Sequence, residues 1–497
     1  MPGKRGLAIL GARAVAGIVG IAATALAFGA VVFAPVPTVD QIPASAVVSP
    51  APSDQQRVCP GPLLTLAEDS SQAQATTSVG QATTVYGATA LATDSVRPDV
   101  TGITDVTDVS DITAVDNSAV TDSVSPDDGA PLLLRVPVQD GGTTAPLVAG
   151  SQSQTAATET LGGLAVAACS EAVSEAWLVG GSTAIGRTSL VLLSNPTTVV
   201  ASVDLTVFGE TGEVDSPGST GILVQPGSQR IISLAGLAPN LISPVVHVQS
   251  HGGQVVAALE QSVVRAIEPG GVELLGMSGG PALEQIIAGV LVTTLPATDV
   301  STDSGEFPDE TPTVRILVPG DVPATVEVSA TSENGQGAGT SLQFELQPGI
   351  ATEVPLPELT SGSFAVRVTS DQPIVAAART STVGTVGKDF AWFAASGPLS
   401  GDFMLSVAPG PSPTLHLINT DRADATLTVT PERGAPTEVA VPSGESAILP
   451  LASAARYVVT GGHQIVASVS YAGDGLVSSF TLSPAGPLVS PIRVYSH

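Results

Sequence analysis

The sequence predicts an all-β protein, built from tandem immunoglobulin-like β-sandwich modules that follow an N-terminal transmembrane helix. Three observations predict this fold. Segments of alternating apolar and polar residues recur at 201–209, 324–331 and 425–432. A turn rich in Pro, Gly or Ser follows each of them, and a longer aliphatic segment closes each copy, at 246–262, 366–381 and 457–471. A unit repeated in this way indicates several small modules rather than one large catalytic domain.

The alternating segments predict half-buried antiparallel strands. In the first of them Val203, Leu205 and Val207 are separated by short polar residues, so one face is apolar and the other is wetted. The turns at 226–227 and 348–349 read Pro-Gly, which is typical of a type II turn because Pro presets φ and Gly accepts a positive φ. Copies of roughly 100 residues match the size of an immunoglobulin-like sandwich. A toroidal β-propeller is the alternative, but propeller blades repeat about every 40–50 residues.

Length and composition limit the classes of function. A chain of 497 residues is too long for a single core, so several domains are expected. Charged residues make up 12% and aromatic residues 3%, which suits β-branched strands with Ser/Thr-rich faces. The net charge of −28 argues against nucleic acid as a partner, because phosphate binding needs clustered Lys and Arg.

The N-terminus predicts export. Lys4, Arg5 and Arg13 precede an uncharged apolar run, Ala14–Ala34. About 20 such residues span a bilayer, and the basic flank is expected to stay in the cytoplasm. We therefore expect a single-pass protein of the cell membrane, with its N-terminus cytoplasmic and its ectodomain extracytoplasmic. A cleaved signal peptide, processed near Ala25 or Ala27, is the alternative.

The chain divides accordingly into seven predicted parts. In order these are a basic tail (1–13), the anchor (14–34), a Pro/Ala/Ser spacer (35–58), a divergent β module (59–172) and three clearer modules (173–277, 278–388 and 389–497). The divergent module contains an Asp/Thr/Ser-rich stretch, about 94–130, predicted to be a disordered loop. Its regularly spaced Asp residues raise the possibility of calcium, but the glycine turn and terminal Glu of an EF-hand are missing.

Cys59 and Cys169 are the two cysteines, and an exported pair is expected to form a disulfide. The bridge would tie the first and last strands of the divergent module. Two free buried thiols are the alternative. Two cysteines without nearby histidines do not make a zinc site.

The openings AWLVGGSTAIGRTSLVLLSNPT (176–197) and AWFAASGPLSGDFMLSVAPG (391–410) carry a resemblance to a known family. With the anchor, the early Cys-Pro-Gly and the second Cys just before a Trp, the layout resembles an actinobacterial family of membrane-anchored, exported envelope proteins of unassigned function. The resemblance covers most of residues 14–497 and implies tandem Trp-opening β-sandwich repeats. Leu274-Leu275 replaces the aromatic opening in the middle copy.

No catalytic, cofactor or metal residues are predicted. GMSGG (276–280) formally satisfies the nucleophile motif G-x-S-x-G, but Ser278 is followed by Gly-Gly-Pro rather than by a helix. The histidines at 247, 251, 416, 463 and 497 form no metal-binding motif. Carboxylate pairs such as Asp309 and Glu310 lie in a Pro/Thr/Ser/Asp-rich linker.

Trp177 and Trp392 are the possible binding residues, since two exposed indoles could stack on sugar rings. The competing interpretation makes them core plugs at equivalent starts of two copies. The predicted function is a non-enzymatic scaffold or protein-interaction module of the envelope, with modules in series forming an extended surface. Other envelope proteins or wall polymer are the expected partners, and the membrane is contacted through the N-terminal helix. The alternative is a carbohydrate or wall-polymer binding accessory protein that uses the two tryptophans.

Overall fold

A computed structural model describes the side chains of residues 54–66, 78–89, 130–136, 145–265, 267–293, 311–335, 340–356, 359, 361–385 and 387–484. Beyond these, only the backbone of short strands is described. The predicted anchor at 14–34 lies outside the described residues. Within the described part of the chain, no helix has the length and apolar character that crossing a membrane requires.

The chain forms two compact units. The smaller unit joins Met1–Ser49 to Pro491–His497, and in it β1 (Ser45–Val48) pairs antiparallel with β39 (Ile492–Tyr495). The larger unit, Pro50–Ser490, holds every other described element. It consists of four β modules, each with a sheet that contains the last strand of the module, which we call the closing sheet.

Module 1 pairs two sheets and a short hairpin. One sheet has the order β2 (Gln55–Cys59), β11 (Leu132–Val136), β7 (Asp99–Gly102), β9 (Ala114–Val115). The closing sheet has the order β10 (Ser123–Val124), β5 (Thr83–Leu91), β12 (Leu147–Ala157), β13 (Gly162–Ala168), with β6 (Asp94–Ser95) beside β5. The hairpin joins β3 (Leu64–Leu66) to β4 (Thr76–Ser78). Backbone pairing is thus described at several points within the stretch predicted to be a disordered loop.

Module 2 repeats this plan more fully. One sheet has the order β14 (Glu175–Val179), β20 (Val245–Gly252), β16 (Ala201–Gly209), β17 (Gly212–Val214), with β18 (Ile222–Val224) beside β16. The closing sheet has the order β22 (Glu268–Leu275), β21 (Val256–Arg265), β15 (Arg187–Asn195), β19 (Ser228–Ser233), and then β8 (Thr104–Asp105), which runs parallel to β19. The single-turn helix α1 (Leu234–Leu237) follows β19.

In module 3 the two sheets share β28 (Gly362–Val383). The first half of β28 pairs with β23 (Ala282–Val292) and β25 (Ala324–Ser332), and β26 (Thr340–Leu346) extends that sheet. The second half pairs with β24 (Thr313–Leu317) and β29 (Lys388–Ala394), and β27 (Thr352–Pro355) lies beyond β24. One strand therefore crosses from the first sheet to the closing sheet.

Module 4 again has two sheets. The first has the order β31 (Phe403–Val407), β36 (Ala455–Thr460), β33 (Ala425–Pro431), β34 (Thr437–Val441). The closing sheet has the order β30 (Leu399–Ser400), β37 (His463–Gly473), β32 (Thr414–Asn419), β35 (Ser446–Pro450), with β38 (Leu476–Thr481) on β37.

The all-β prediction is confirmed strand by strand. In β16, Val203, Leu205 and Val207 are buried while the residues between them are half-buried. Gly227 and Gly349 have φ of 67° and 72°, as the predicted type II turns require. The immunoglobulin-like order is not confirmed. The strand that follows β20 leaves its sheet to pair with β15.

Two boundaries differ from the predicted ones: β2 of module 1 begins at Gln55, inside the predicted spacer 35–58, and the boundary at 388/389 lies elsewhere. The strand that carries Trp392, β29, pairs with β28 and closes module 3. It does not open module 4, which begins after it. Trp177 lies instead in β14, the first strand of module 2. The two tryptophans therefore occupy opposite ends of their modules, and the predicted equivalence between them is wrong.

The four modules close into a ring rather than an extended row. The last strands β13, β22, β29 and β38 pack around one axis, each against the next, and β38 packs back against β13. Apolar cores run across the module boundaries: Leu164 and Val166 of module 1 belong to the core of module 4, and Trp392 belongs to that of module 2. Because aliphatic surface is buried between modules as well as within them, residues 50–490 behave as one compact unit.

Candidate functional site

Asp389 lies on the axis of the ring and is linked to all four modules. Its Oδ2 accepts the backbone N–H of Leu164 at 2.9 Å and of Val477 at 3.1 Å. Its Oδ1 accepts the backbone N–H of Val272 at 3.2 Å and of its own neighbour Phe390 at 3.0 Å. These four nitrogens come from the last strands of the four modules. One carboxylate therefore satisfies a backbone donor from each module.

Glycines make room for this carboxylate. A Cβ on Gly163 would lie 2.4 Å from Oδ1 of Asp389, and one on Gly271 would lie 3.0 Å from the same atom. Both glycines have positive φ, 134° and 125°. Each immediately precedes a residue whose N–H points at Asp389, so the small residue lets the backbone approach the axis.

A second buried acid stands next to the first. Oε1 of Glu273 accepts the hydroxyl of Ser478 at 2.8 Å and the N–H of Leu274 at 2.9 Å. Burial raises the pKa of Glu273 well above its ordinary value, and the nearby Asp389 raises it further. Burial also raises the pKa of Asp389, but its four N–H donors oppose that rise by stabilising the charged form. Glu273 is therefore the member of the pair that we expect to hold a proton.

The segment after Cys59 lies between modules 1 and 2, where side chains of both modules hydrogen-bond to its backbone. Oε1 atoms of Gln152 and Gln154 accept the N–H groups of Gly61 and Leu63, both at 2.9 Å. Glu260 accepts the N–H of Leu64 with both carboxylate oxygens, at 3.0 and 3.1 Å. Burial raises the pKa of Glu260 to about 8. Side chains of this ring can thus hold an extended peptide by its backbone.

The two tryptophans are covered. Trp177 is 4% exposed and its ring stacks on that of His247, with centroids 4.0 Å apart. Trp392 is 1% exposed, and the guanidinium of Arg315 lies 4.5 Å from its centroid. Its indole N–H donates to Gln261 at 2.7 Å. Stacking on a sugar would require either indole to leave its place between these neighbours.

Arg315 fastens module 3 to module 2. Its guanidinium donates to the carbonyl oxygens of Gly181 at 2.9 Å and Pro244 at 2.7 Å, and it pairs with Glu353 at 2.6 Å. The side chain is fully buried, so the charge is balanced by Glu353 and by carbonyl dipoles. The same guanidinium covers Trp392. Its role in the structure is to join two modules.

A Ser–His–Glu arrangement lies between modules 3 and 4. Nε2 of His416 is 2.7 Å from Oγ of Ser470, and Nδ1 is 2.5 Å from Oε2 of Glu333. Oε1 of Glu333 accepts the N–H of Gly289 at 3.0 Å. These distances match those of a serine-hydrolase triad. However, His416 is 1% and Ser470 2% exposed, so a substrate carbonyl has no approach to Oγ in this structure.

The other residues that could act in catalysis or metal binding do not form a site together. Ser278 is 8% exposed, and its hydroxyl meets no hydrogen-bonding partner among the described residues. His251 lies 3.7 Å from Asp204, and His247 lies 2.9 Å from Glu175. Over the described ranges, no group of three or more His, Cys, Asp or Glu side chains is placed to hold a metal ion.

The predicted disulfide is confirmed. Cys59 and Cys169 are bonded, with a sequence separation of 110. The bridge joins the end of β2 to the residue that follows β13. It therefore ties the first described strand of module 1 to the last, and both cysteines are buried.

A cleft beside this disulfide is the candidate binding site. It lies between modules 1 and 4, has a volume of about 240 Å³, and is lined by both polar and apolar residues. Arg57, Glu171, Asp402, Phe403 and Phe480 are among them. Pockets for small ligands are usually about 300–1,000 Å³, so this cleft is on the small side for a cofactor.

Arg57 supplies the positive charge of the cleft. Nη1 donates to the carbonyl oxygen of Gln56 at 2.8 Å and lies 3.5 Å from Glu171, which is longer than a hydrogen bond. Burial lowers the pKa of Arg57, and the charge of Glu171 only partly offsets this. Arg57 and Glu171 thus form a partly buried ion pair, and the guanidinium can also donate to an added carboxylate.

The comparisons with known proteins place the chain in a family. A model described as a family of unknown function, DUF5719, matches residues 120–452. The chain belongs to DUF5719. No curated protein matches it. The DUF5719 match includes Asp389, Glu273 and the His416–Glu333 pair, whereas Arg57 and Cys59 precede it.

Sequence reasoning missed the axial acids of this DUF5719 chain. A signal for them exists in the last strands, where Gly162-Gly163, Gly270-Gly271 and Lys388-Asp389 stand at corresponding places. Asp389 stands where the last strands of modules 1 and 2 have Gly, and that of module 4 has Leu476, and it is the residue that fills the axis. That signal can be read only after the copies are aligned on their last strands rather than on their tryptophans.

Proposed function

We propose that this chain is a non-enzymatic scaffold of the cell envelope, anchored by residues 14–34 and acting outside the cytoplasmic membrane as a protein-interaction module. The proposal joins the sequence-based expectation of export to the ring of four modules. A disulfide of this span agrees with an oxidising compartment.

The observation that carries the proposal is the convergence of four modules on the carboxylate of Asp389. A buried, multiply hydrogen-bonded centre holds the modules at set angles to one another. Rigid surfaces lose little conformational entropy on binding and so favour stable association. The other ionisable clusters, around Arg315 and His416, also join module to module. Their chemistry serves assembly of the ring.

Membrane topology and neighbours test the proposal together. A peroxidase fused to the C-terminus should biotinylate a reproducible set of envelope proteins in intact cells, compared with a fused peroxidase that is exported without the ring. Protease added outside the cell should remove the ectodomain while a tag at the N-terminus survives. A protein found only in the cytosol would overturn the proposal, as would a labelled set identical to that of the control.

A ring-specific control makes the test sharper. Asp389→Ala should lower biotinylation of the same neighbours, whereas Asp371→Ala, at an exposed position of β28 where Asp371 accepts the N–H of Thr325 at 2.9 Å, should not. Enrichment of purified wall polysaccharide instead of proteins would support the accessory-protein alternative. In that case Trp177→Phe and Trp392→Phe should lower polymer binding.

A further inference from the structure

The edge of a strand forms one wall of the cleft between modules 1 and 4. β31 is the outermost strand of its sheet; among the described strands it pairs with β36 alone, and β12 of module 1 packs beside its other edge. On its other side the carbonyl oxygen of Ser406 accepts the hydroxyl of Ser151 from module 1 at 2.9 Å. Backbone groups of alternate residues point to the same side of a strand. The N–H and C=O of Met404 therefore face the cleft, which Met404 lines.

A second strand is incompletely paired on the opposite wall. β12 pairs with β13 from Ser151 to Ala157, but among the described strands its first residues, Leu147–Gly150, pair with β5 alone. Gly150 accepts the N–H of Cys169 at 2.8 Å, and the stretch before it lines the cleft. Exposed edges of this kind are templates for an added strand.

The neighbouring interface shows that the ring can hold an extended segment. Between modules 1 and 2, the chain's own Pro60–Leu63 lies buried and Leu64 is half-buried, and Gln152, Gln154 and Glu260 bind this backbone. Between modules 4 and 1 there is instead a cleft, with the guanidinium of Arg57 in its wall. The structure gives Nε and Nη2 of Arg57 no hydrogen bond to any described residue.

We infer that this cleft binds an extended segment of a partner protein, which adds as a strand to the edge of β31 and sets an Asp or Glu carboxylate on Arg57. This inference deepens the proposed function and rests on it. The other charged groups in the cleft are Glu171, 3.5 Å from Arg57, and Asp402, whose carboxylate accepts the N–H of Gly461 at 3.2 Å. Both would repel a second acid, so the partner carries a single carboxylate at this point.

The apolar walls select the remainder of the segment. Phe403, Phe480 and Leu482 line the cleft, so the neighbours of the acid are expected to be apolar. Successive side chains of a strand point to opposite faces, which places apolar residues two positions away from the acid on the same face. The predicted recognition element is a short strand with one acid at its centre.

Peptide binding to the full ectodomain tests the inference. The probes are fluorescent, acetylated and amidated heptapeptides from a library of β-branched sequences with Asp, Asn or Lys at the centre. We expect binding of Asp-centred members and a loss of roughly 10- to 100-fold for Asn, the range for hydrogen bonds to a charged group. Arg57→Gln should cause the same loss, while the matched control Arg422→Gln, at an exposed loop, should not.

Two further arms keep the test independent of the folding of the variant. N-methylation of alternate peptide amides removes the hydrogen bonds to β31 in one frame only, so one methylated series should fail and the other should bind. Acetyl-aspartate amide should bind far more weakly than the heptapeptide. Equal binding of both methylated series, or of Asp and Asn peptides, would overturn the inference. If neighbours are still captured in cells by Arg57→Gln protein, the scaffold proposal survives and this site does not.

Discussion

Oδ2 of Asp389 lies 2.9 Å from the backbone nitrogen of Leu164, a residue 225 positions earlier in the chain. This contact joins the last strand of module 3 to the last strand of module 1 across the axis of the ring. It is one of four such contacts at the same carboxylate. Loss of the carboxylate would leave N–H groups of all four modules without a partner in a dry centre.

Asp389→Ala should therefore destabilise the ectodomain by several kcal/mol, because each buried N–H group left without a partner costs about 1–3 kcal/mol. Urea unfolding followed by tryptophan fluorescence would measure it. The control Asp371→Ala should cost less than about 1 kcal/mol, because Asp371 binds one exposed N–H. Equal midpoints for the two variants would show that the axis does not hold the modules together.

Gly163→Ala should also destabilise the ring. Here the cause is a steric clash of the added Cβ with Asp389 rather than the loss of a hydrogen bond. Its Cβ would come within 2.4 Å of Asp389, at a φ of 134°. Gly212 has a φ of 117° and no atom within 4 Å of an added Cβ, so Gly212→Ala measures the backbone strain alone, about 1–3 kcal/mol. A thermal shift clearly larger for Gly163→Ala than for Gly212→Ala is expected. Similar shifts would mean that the axis is loosely packed.

Stability should fall as pH rises from about 5 to 8. Burial raises the pKa of Glu260 from 4.5 to about 8, so the folded state holds a proton that the unfolded state releases above pH 4.5. The contribution is full below that pH and is lost as pH rises through 8, with a slope of up to about 1.4 kcal/mol per pH unit. Asp389 and Glu273 act with the same sign.

Glu260→Gln keeps an acceptor for the N–H of Leu64 but no longer titrates. Urea midpoints at pH 5, 6, 7 and 8 should decline less steeply in this variant than in the unmodified chain. A matched control is Glu432→Gln at a partly exposed ion pair with Arg456. If Glu260→Gln and the control have the same pH profile as the unmodified chain, Glu260 is ionised throughout this range.

Removal of the disulfide should cost about 4–5 kcal/mol in the chain-entropy model, because the closed loop has a sequence separation of 110. The double variant Cys59→Ser, Cys169→Ser would be compared with the oxidised chain by urea unfolding. Titration of thiols in denaturant should find none in exported protein. Two free thiols would contradict the bridge, and a stability change below 1 kcal/mol would contradict its structural role.

The Ser470–His416–Glu333 arrangement should be structural. A fluorophosphonate probe should leave native protein unlabelled, because Ser470 is 2% exposed. Ser470→Ala should destabilise the ectodomain by about 1–3 kcal/mol, because it leaves Nε2 of the buried His416 without its hydrogen-bond partner. Stoichiometric labelling at Ser470, abolished by His416→Ala in folded protein, would instead establish a hydrolase.

Local patterns predicted the parts of the fold that depend on neighbours in sequence. The strands at 201–209, 324–331 and 425–432, the Pro-Gly turns and the disulfide were all predictable, because alternation, turn chemistry and cysteine number need no tertiary information. Trp177 and Trp392 were misaligned for the opposite reason. Their flanking sequences are alike, but strand pairing places one at the start of a module and the other at the end.

The candidate site was beyond the reach of such patterns. In the sequence, Arg57 is a basic residue of the predicted spacer and Met404 is an ordinary strand residue. Only the structure shows that both line one cleft, because it brings the two ends of the larger unit together. Asp389 likewise reads as a polar residue at a strand start. Its partners at 164, 272 and 477 come from strands distant in sequence, and no periodic pattern links such positions.

The amino-acid order by itself determined that this chain makes small aliphatic β modules with one disulfide, because burial of alternate side chains is dictated by residues two apart. Only the tertiary structure decided that the modules close into a ring about Asp389 and leave a cleft beside Arg57. Closure depends on apolar surfaces and backbone donors that meet between modules, and those meet only once each module has folded.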